Sequence, residues 1–67
     1  MTAFIQLKSK YYPVMINNVV SYKEEENFIL IITQNGDVFI HLRYAKDDVL
    51  SWQVEFPGRR IINEADN

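Results

Sequence analysis

The chain has 67 residues, no cysteine and a formal net charge of −2, which leaves room for one small domain and excludes disulfides and thiolate metal sites. A chain of this length buries only about 60% of its unfolded surface, and small domains offset that thin margin with disulfides, a metal or oligomerisation. With no Cys and one His, oligomerisation is the remaining device, and the interspersed acidic and basic residues argue against a general phosphate-backbone binder.

A hydrophobic content of 48% with only two Gly and two Pro marks a globular and not a disordered chain. The longest apolar run, residues 28–32, is too short to span a bilayer, so no membrane role is expected. The first residues carry neither a basic nor a long apolar region, so no signal peptide is read and a cytoplasmic location is expected.

Residues 3–8 alternate, Ala3, Ile5 and Leu7 against Phe4, Gln6 and Lys8, which predicts a half-buried first strand. Lys8-Ser9-Lys10 is a polar break. Residues 11–16 are aromatic and β-branched, but Pro13 cannot donate a ladder hydrogen bond, so this second strand lies at an edge or starts late. Asn17-Asn18 punctuates, residues 19–23 make a short third strand, and Glu24-Glu25-Glu26-Asn27 forms a solvated loop.

Next comes the strongest local signal in the chain: a β-rich run over residues 28–33, the turn Gln34-Asn35-Gly36-Asp37, and a second run over residues 38–42. Asn-Gly between two such runs predicts a hairpin with a two-residue type I′ loop. Centred on Asn35-Gly36, that loop sets Thr33 opposite Val38, Ile31 opposite Ile40 and Ile29 opposite Leu42, an apolar face that is the natural core. The other face pairs Gln34 with Asp37, Ile32 with Phe39, Leu30 with His41 and Phe28 with Arg43. Four large apolar groups on that second face require a cover. A helix over residues 47–56, a strand over 50–56 crossing the face, or another subunit would each supply one.

Over residues 47–56 two patterns compete. Asp47-Asp48 suits a helix N-terminus, yet Leu50, Trp52, Val54 and Phe56 alternate with Ser51, Gln53 and Glu55, and the alternation favours a strand. Pro57-Gly58 then turns the chain, Arg59-Arg60-Ile61-Ile62 makes a last short strand, and residues 63–67 fray. The expected fold is therefore mainly β: a five- to six-stranded antiparallel meander curled into a small open barrel over residues 1–62, with one short C-terminal helix as the alternative.

Little in the chain suggests catalysis. His41 stands alone, with no nucleophile or second His placed by motif, and reads as an ordinary strand histidine. Glu24-Glu25-Glu26 and Asp47-Asp48 lack calcium-loop spacing and read as solvated acidic turns. No phosphate-binding glycine loop occurs, and no cofactor, metal or small-molecule substrate is expected.

Residues 4–52 resemble small flagellar and swarming-motility proteins of the FlbD type, and short bacterial and mobile-element proteins of the same pattern. The corresponding pieces are Phe4-Ile5-Gln6-Leu7, Met15-Ile16-Asn17, Val20-Ser21-Tyr22-Lys23-Glu24, the run from Ile29 through Asn35-Gly36, and Asp47-Asp48-Val49-Leu50. The resemblance implies strands leading into an acidic helix and supplies no catalytic residue. The chain departs from it at Lys8-Ser9-Lys10, where that family has an Asn-Gly turn, and at His41-Leu42-Arg43-Tyr44 before the helix.

The function expected from these readings is a non-enzymatic interaction or regulatory module of bacterial or phage type, binding a protein partner or itself as a homo-oligomer. Phe28, Leu30, Ile32 and Phe39 on the second hairpin face, with Tyr11 and Trp52, are the expected partner-binding residues, because aromatics anchor interface hot spots. The alternative is a small-barrel nucleic-acid binder using Tyr11, Tyr12, Lys8, Lys10 and Arg59.

Overall fold

The computed structural model describes residues 1–57 and the backbone of residues 61–63. Among the described residues, seven antiparallel strands run in chain order: β1 Thr2–Leu7, β2 Val14–Ile16, β3 Val19–Glu24, β4 Phe28–Asn35, β5 Val38–Ala45, β6 Val49–Glu55 and β7 Ile61–Asn63. They form two sheets, one ordered β2-β1-β6-β7 and the other β3-β4-β5. The strand reading of residues 50–56 is the one that forms. Only a single 3₁₀ turn, Lys46–Asp48, precedes β6, so the helix alternative over 47–56 is corrected. Gly58, Arg59, Arg60 and residues 64–67 lie outside the described residues, while Asn63, expected to fray, belongs to β7.

The chain changes sheets at two short corners. Asn17-Asn18 carries it from β2 to β3, with Asn18 in the left-handed region at φ 61°, where Asn is better tolerated than most residues. The 3₁₀ turn brings it back from β5 to β6. Asp48, read from the sequence as a possible helix cap, instead ties this second corner to the loop after β1. Its carboxylate accepts from the Ser9 backbone N–H at 3.1 Å and from the Ser9 hydroxyl at 2.7 Å. Its carbonyl accepts from the Lys8 N–H at 2.7 Å.

The core lies between the sheets. Ala3, Ile5, Leu7, Ile16, Trp52 and Val54 come from one sheet and Val19, Ile29 and Ile31 from the other, all buried. Tyr22 of β3 meets Trp52 of β6 edge-on, with ring centroids 5.8 Å apart, a geometry that aligns the positive edge of one ring with the negative face of the other. Pro13 has the expected effect, since β2 starts one residue after it and occupies a sheet edge.

Two register shifts expel apolar side chains that simple alternation would distribute differently. Between β1 and β6, Gln6 faces Ser51 but Leu7 faces Val49, which leaves Leu50 as an extra residue, 59% exposed. Val49 takes the inward place and packs on the core. Between β3 and β4, Val19 faces Thr33 and Ser21 faces Ile32, leaving Val20 as the extra residue, 45% exposed.

The hairpin is present, but its register differs from expectation. Asn35 faces Val38, Thr33 faces Ile40, Ile31 faces Leu42 and Ile29 faces Tyr44. The two loop residues are therefore Gly36 and Asp37. Gly36 has φ 63°, and Asn18 is the only described non-glycine residue with positive φ, so Asn35 and Asp37 do not share it. Positive φ at the first loop position alone is the signature of a type II′ turn, whereas type I′ needs it at both. Each residue of β4 accordingly meets a β5 residue two positions further along than expected. An even slip preserves the faces, so Ile29, Ile31 and Thr33 still point into the core.

Candidate interaction surface

The outer face of the β3-β4-β5 sheet carries Phe28, Leu30, Ile32 and Phe39, four of the residues expected from the sequence. In the observed register Leu30 faces Arg43, Ile32 faces His41, and Gln34 faces Phe39. Phe28, Leu30 and Ile32 are half-buried, and Phe39 is 56% exposed. No strand or helix of the described residues crosses this face: β6 pairs with β1 and turns Trp52 and Val54 into the core on the opposite side of the sheet. Long polar side chains neighbour Phe28 and Leu30 on this face. The Arg43 guanidinium lies 5.6 Å from the centroid of the Phe28 ring, and Lys23 stands opposite Leu30. Such side chains lay apolar stems over a surface while their charged ends remain in water.

Trp52 is a correction. It is 3% exposed and belongs to the core, so it presents no contact surface. Tyr11 is 90% exposed, but it lies in the loop before β2, on the other sheet, and is not brought together with Phe39. It packs edge-on against Tyr12, itself 75% exposed, at 5.1 Å, with Lys8 and Lys10 exposed in the same loop.

Residues assigned to the core by sequence also reach the surface. Val38 and Ile40, on the inward-facing side of β5, are 59% and 44% exposed. Both lie near the hairpin tip on the outermost strand of the sheet, where the core covers Thr33 of β4 but not its β5 partner Ile40. Val38, Phe39 and Ile40 thus form three consecutive exposed apolar residues on both sides of one strand, and that strand is a sheet edge.

The two edges of this sheet are unlike. β3 is interrupted by the bulge at Val20 and carries Lys23, and its start is occupied by the N-terminus, where Met1 and Val19 exchange N–H to carbonyl bonds at 3.2 and 2.9 Å. Bulges and lysines are the usual means of blunting an edge. β5 has eight residues, an unbroken ladder to β4, no proline and no lysine.

The other candidates resolve into structural roles. Glu25 pairs with Lys23 at 2.9 Å and Glu24, the last residue of β3, with Lys46 at 2.6 Å, so two acids of the expected acidic turn have cationic partners. His41 is exposed on β5. A hollow of about 240 Å³ on the outside of the first sheet is lined by Phe4, Gln6, Pro13, Ser51, Trp52 and Gln53, a set without an acid, base or nucleophile pair. Among the described residues no helix is long and apolar enough to cross a membrane, and no group of three or more His, Asp or Glu side chains converges as metal ligands would. No protein-family model, curated protein or solved structure matches this chain.

Proposed function

We propose that the protein is a non-enzymatic interaction module that works by associating with itself through the β3-β4-β5 sheet. The observation that carries this reading is the exposed run Val38-Phe39-Ile40 on an edge strand that no other strand of the described residues covers. An edge of this kind offers unpaired backbone groups together with apolar side chains, and a partner strand satisfies both. The small core of a 67-residue chain without cysteine gives self-association a second role, as added stability. The two sheet-changing corners support reading the fold more finely as a small open barrel whose free edge is the one in use.

Sedimentation across a range of concentrations tests the proposal. The wild type shifts from monomer to oligomer as concentration rises. Phe39→Glu keeps its circular dichroism, because the side chain is exposed, but stays monomeric. A wild type that is monomeric at every concentration overturns the reading.

A second reading has one observation in its favour, the exposed Tyr11-Tyr12 pair beside Lys8 and Lys10. Aromatic rings and basic residues in one loop suit single-stranded nucleic acid. Against it stand the net charge of −2 and the Asp48 carboxylate bonded into the same loop. Binding of a single-stranded oligonucleotide that falls steeply with salt and is lost in Tyr11→Ala would favour this reading over self-association.

A further inference from the structure

We infer that two copies join β5 to β5 in one antiparallel register, centred on Ile40, to make a continuous six-stranded sheet. The inference rests on the self-association proposed above and adds the partner strand and its alignment.

The direction of the free backbone groups restricts the alignment. The Gln34 N–H donates to the Asn18 carbonyl at 3.1 Å, and the Phe28 carbonyl accepts from the Glu25 N–H at 2.9 Å. Both β4 residues therefore direct backbone groups away from β5, so Gln34–Phe39 and Phe28–Ala45 are non-hydrogen-bonded pairs. By alternation, the N–H and C=O groups of Phe39, His41 and Arg43 point from β5 toward the open edge. A second β5 must set these odd-numbered residues opposite one another, so permitted alignments differ by steps of two residues.

Charge then selects among them. Centred on Ile40, the pairing brings Asp37, the loop residue just before β5, alongside Arg43 of the other copy, giving two ion pairs related by the twofold axis. It also sets Val38 against Leu42, Phe39 against His41, and Ile40 against itself, so each member of the exposed run gains a neighbour. A shift that centres Phe39 leaves Arg43 opposite Asn35, and one that centres His41 leaves Asp37 opposite Ala45. Neither opposes two full charges of unlike sign. Opposite-charge cross-strand pairs stabilise a register and like charges directly opposite disfavour it. A twofold axis makes each favourable contact occur twice.

Two experiments on the full chain test the alignment. The protein has no cysteine, so single Cys variants report cleanly. A non-hydrogen-bonded antiparallel pair has Cα atoms about 4.5 Å apart, within the range a disulfide spans. Ile40→Cys should cross-link under mild oxidation, while Val38→Cys and Phe39→Cys should not. In the second experiment, Asp37→Arg and Arg43→Asp each create like-charge contacts and should self-associate at least about tenfold more weakly. Mixing the two variants should restore association, because both contacts in the mixed dimer are then of unlike sign. Circular dichroism of each variant establishes that it is folded. If the wild type associates but Ile40→Cys does not cross-link, or the mixed variants do not recover, this alignment is wrong and self-association stands. If the wild type never associates, both fall.

Discussion

Ile31 and Ile32 are adjacent on β4 and point to opposite sides of the sheet, so replacing each with Ala tests the face assignment directly. Ile31 is fully buried and packs in the core cluster, whereas Ile32 is half-buried on the outer face. Ile31→Ala removes three carbons, worth about 2–2.5 kcal/mol in transfer free energy alone. The cavity left between two sheets that cannot fully collapse raises the cost to about 3–4 kcal/mol. A chain of 67 residues has a total stability of roughly 3–10 kcal/mol at ~0.05–0.15 kcal/mol per residue, so Ile31→Ala removes a large share of it. Ile32→Ala leaves no enclosed cavity and should cost about 1 kcal/mol. Guanidinium unfolding followed by fluorescence is the assay, because Trp52 is the only tryptophan and its buried ring reports on the core. With a denaturant slope of about 2 kcal/mol/M, the midpoint should fall by about 1.5–2 M for Ile31→Ala and about 0.5 M for Ile32→Ala. The comparison belongs at a concentration where the chain is monomeric, since association would add stability to whichever face it covers. Equal losses for the two variants would refute the assignment of Ile31 to the core face and Ile32 to the outer one.

Two further outcomes follow from backbone and burial. Gly36→Ala should destabilise by about 1 kcal/mol in the same assay. Its φ of 63° is strained for an L-residue, while the space its Cβ would enter is empty, and an unchanged midpoint would contradict the turn assignment. Burial pushes the Tyr44 phenol above its ordinary value. Its contribution is therefore fully present below the unfolded phenol pKa of about 10 and is lost as pH rises through the folded value. An alkaline absorbance titration should lose a late-ionising component in Tyr44→Phe; the loss of an early-ionising component instead would count against this placement.

Much of the architecture is local and was readable as such. The alternation of Ala3, Ile5 and Leu7 marks β1, Pro13 delays β2, and the alternation through Trp52 and Val54 outweighs the capping potential of Asp47-Asp48. The hairpin's position and the division of its residues between two faces also came from the residues themselves, because side-chain parity survives any even change of register. Of the expected contact residues, Phe28, Leu30, Ile32 and Phe39 do share one open face.

Other features depend on which segments meet. Asn35-Gly36 and Gly36-Asp37 are both acceptable loops on paper. The choice between them moved every cross-strand partner by two residues, turning the expected Ile31–Ile40 pair into Ile31–Leu42. Trp52 looked like an anchor for a partner, but β6 joins β1 and the ring meets Tyr22 inside the core. The bulges at Val20 and Leu50 depend on ladders between distant parts of the chain, so no local pattern announces them. What the amino-acid order determined by itself was strand propensity and face, because both repeat every two residues along a single segment. Register, sheet membership and exposure were decided only when strands paired and the two sheets packed, which left Val38 and Ile40 exposed on an edge strand beside Phe39 of the outer face.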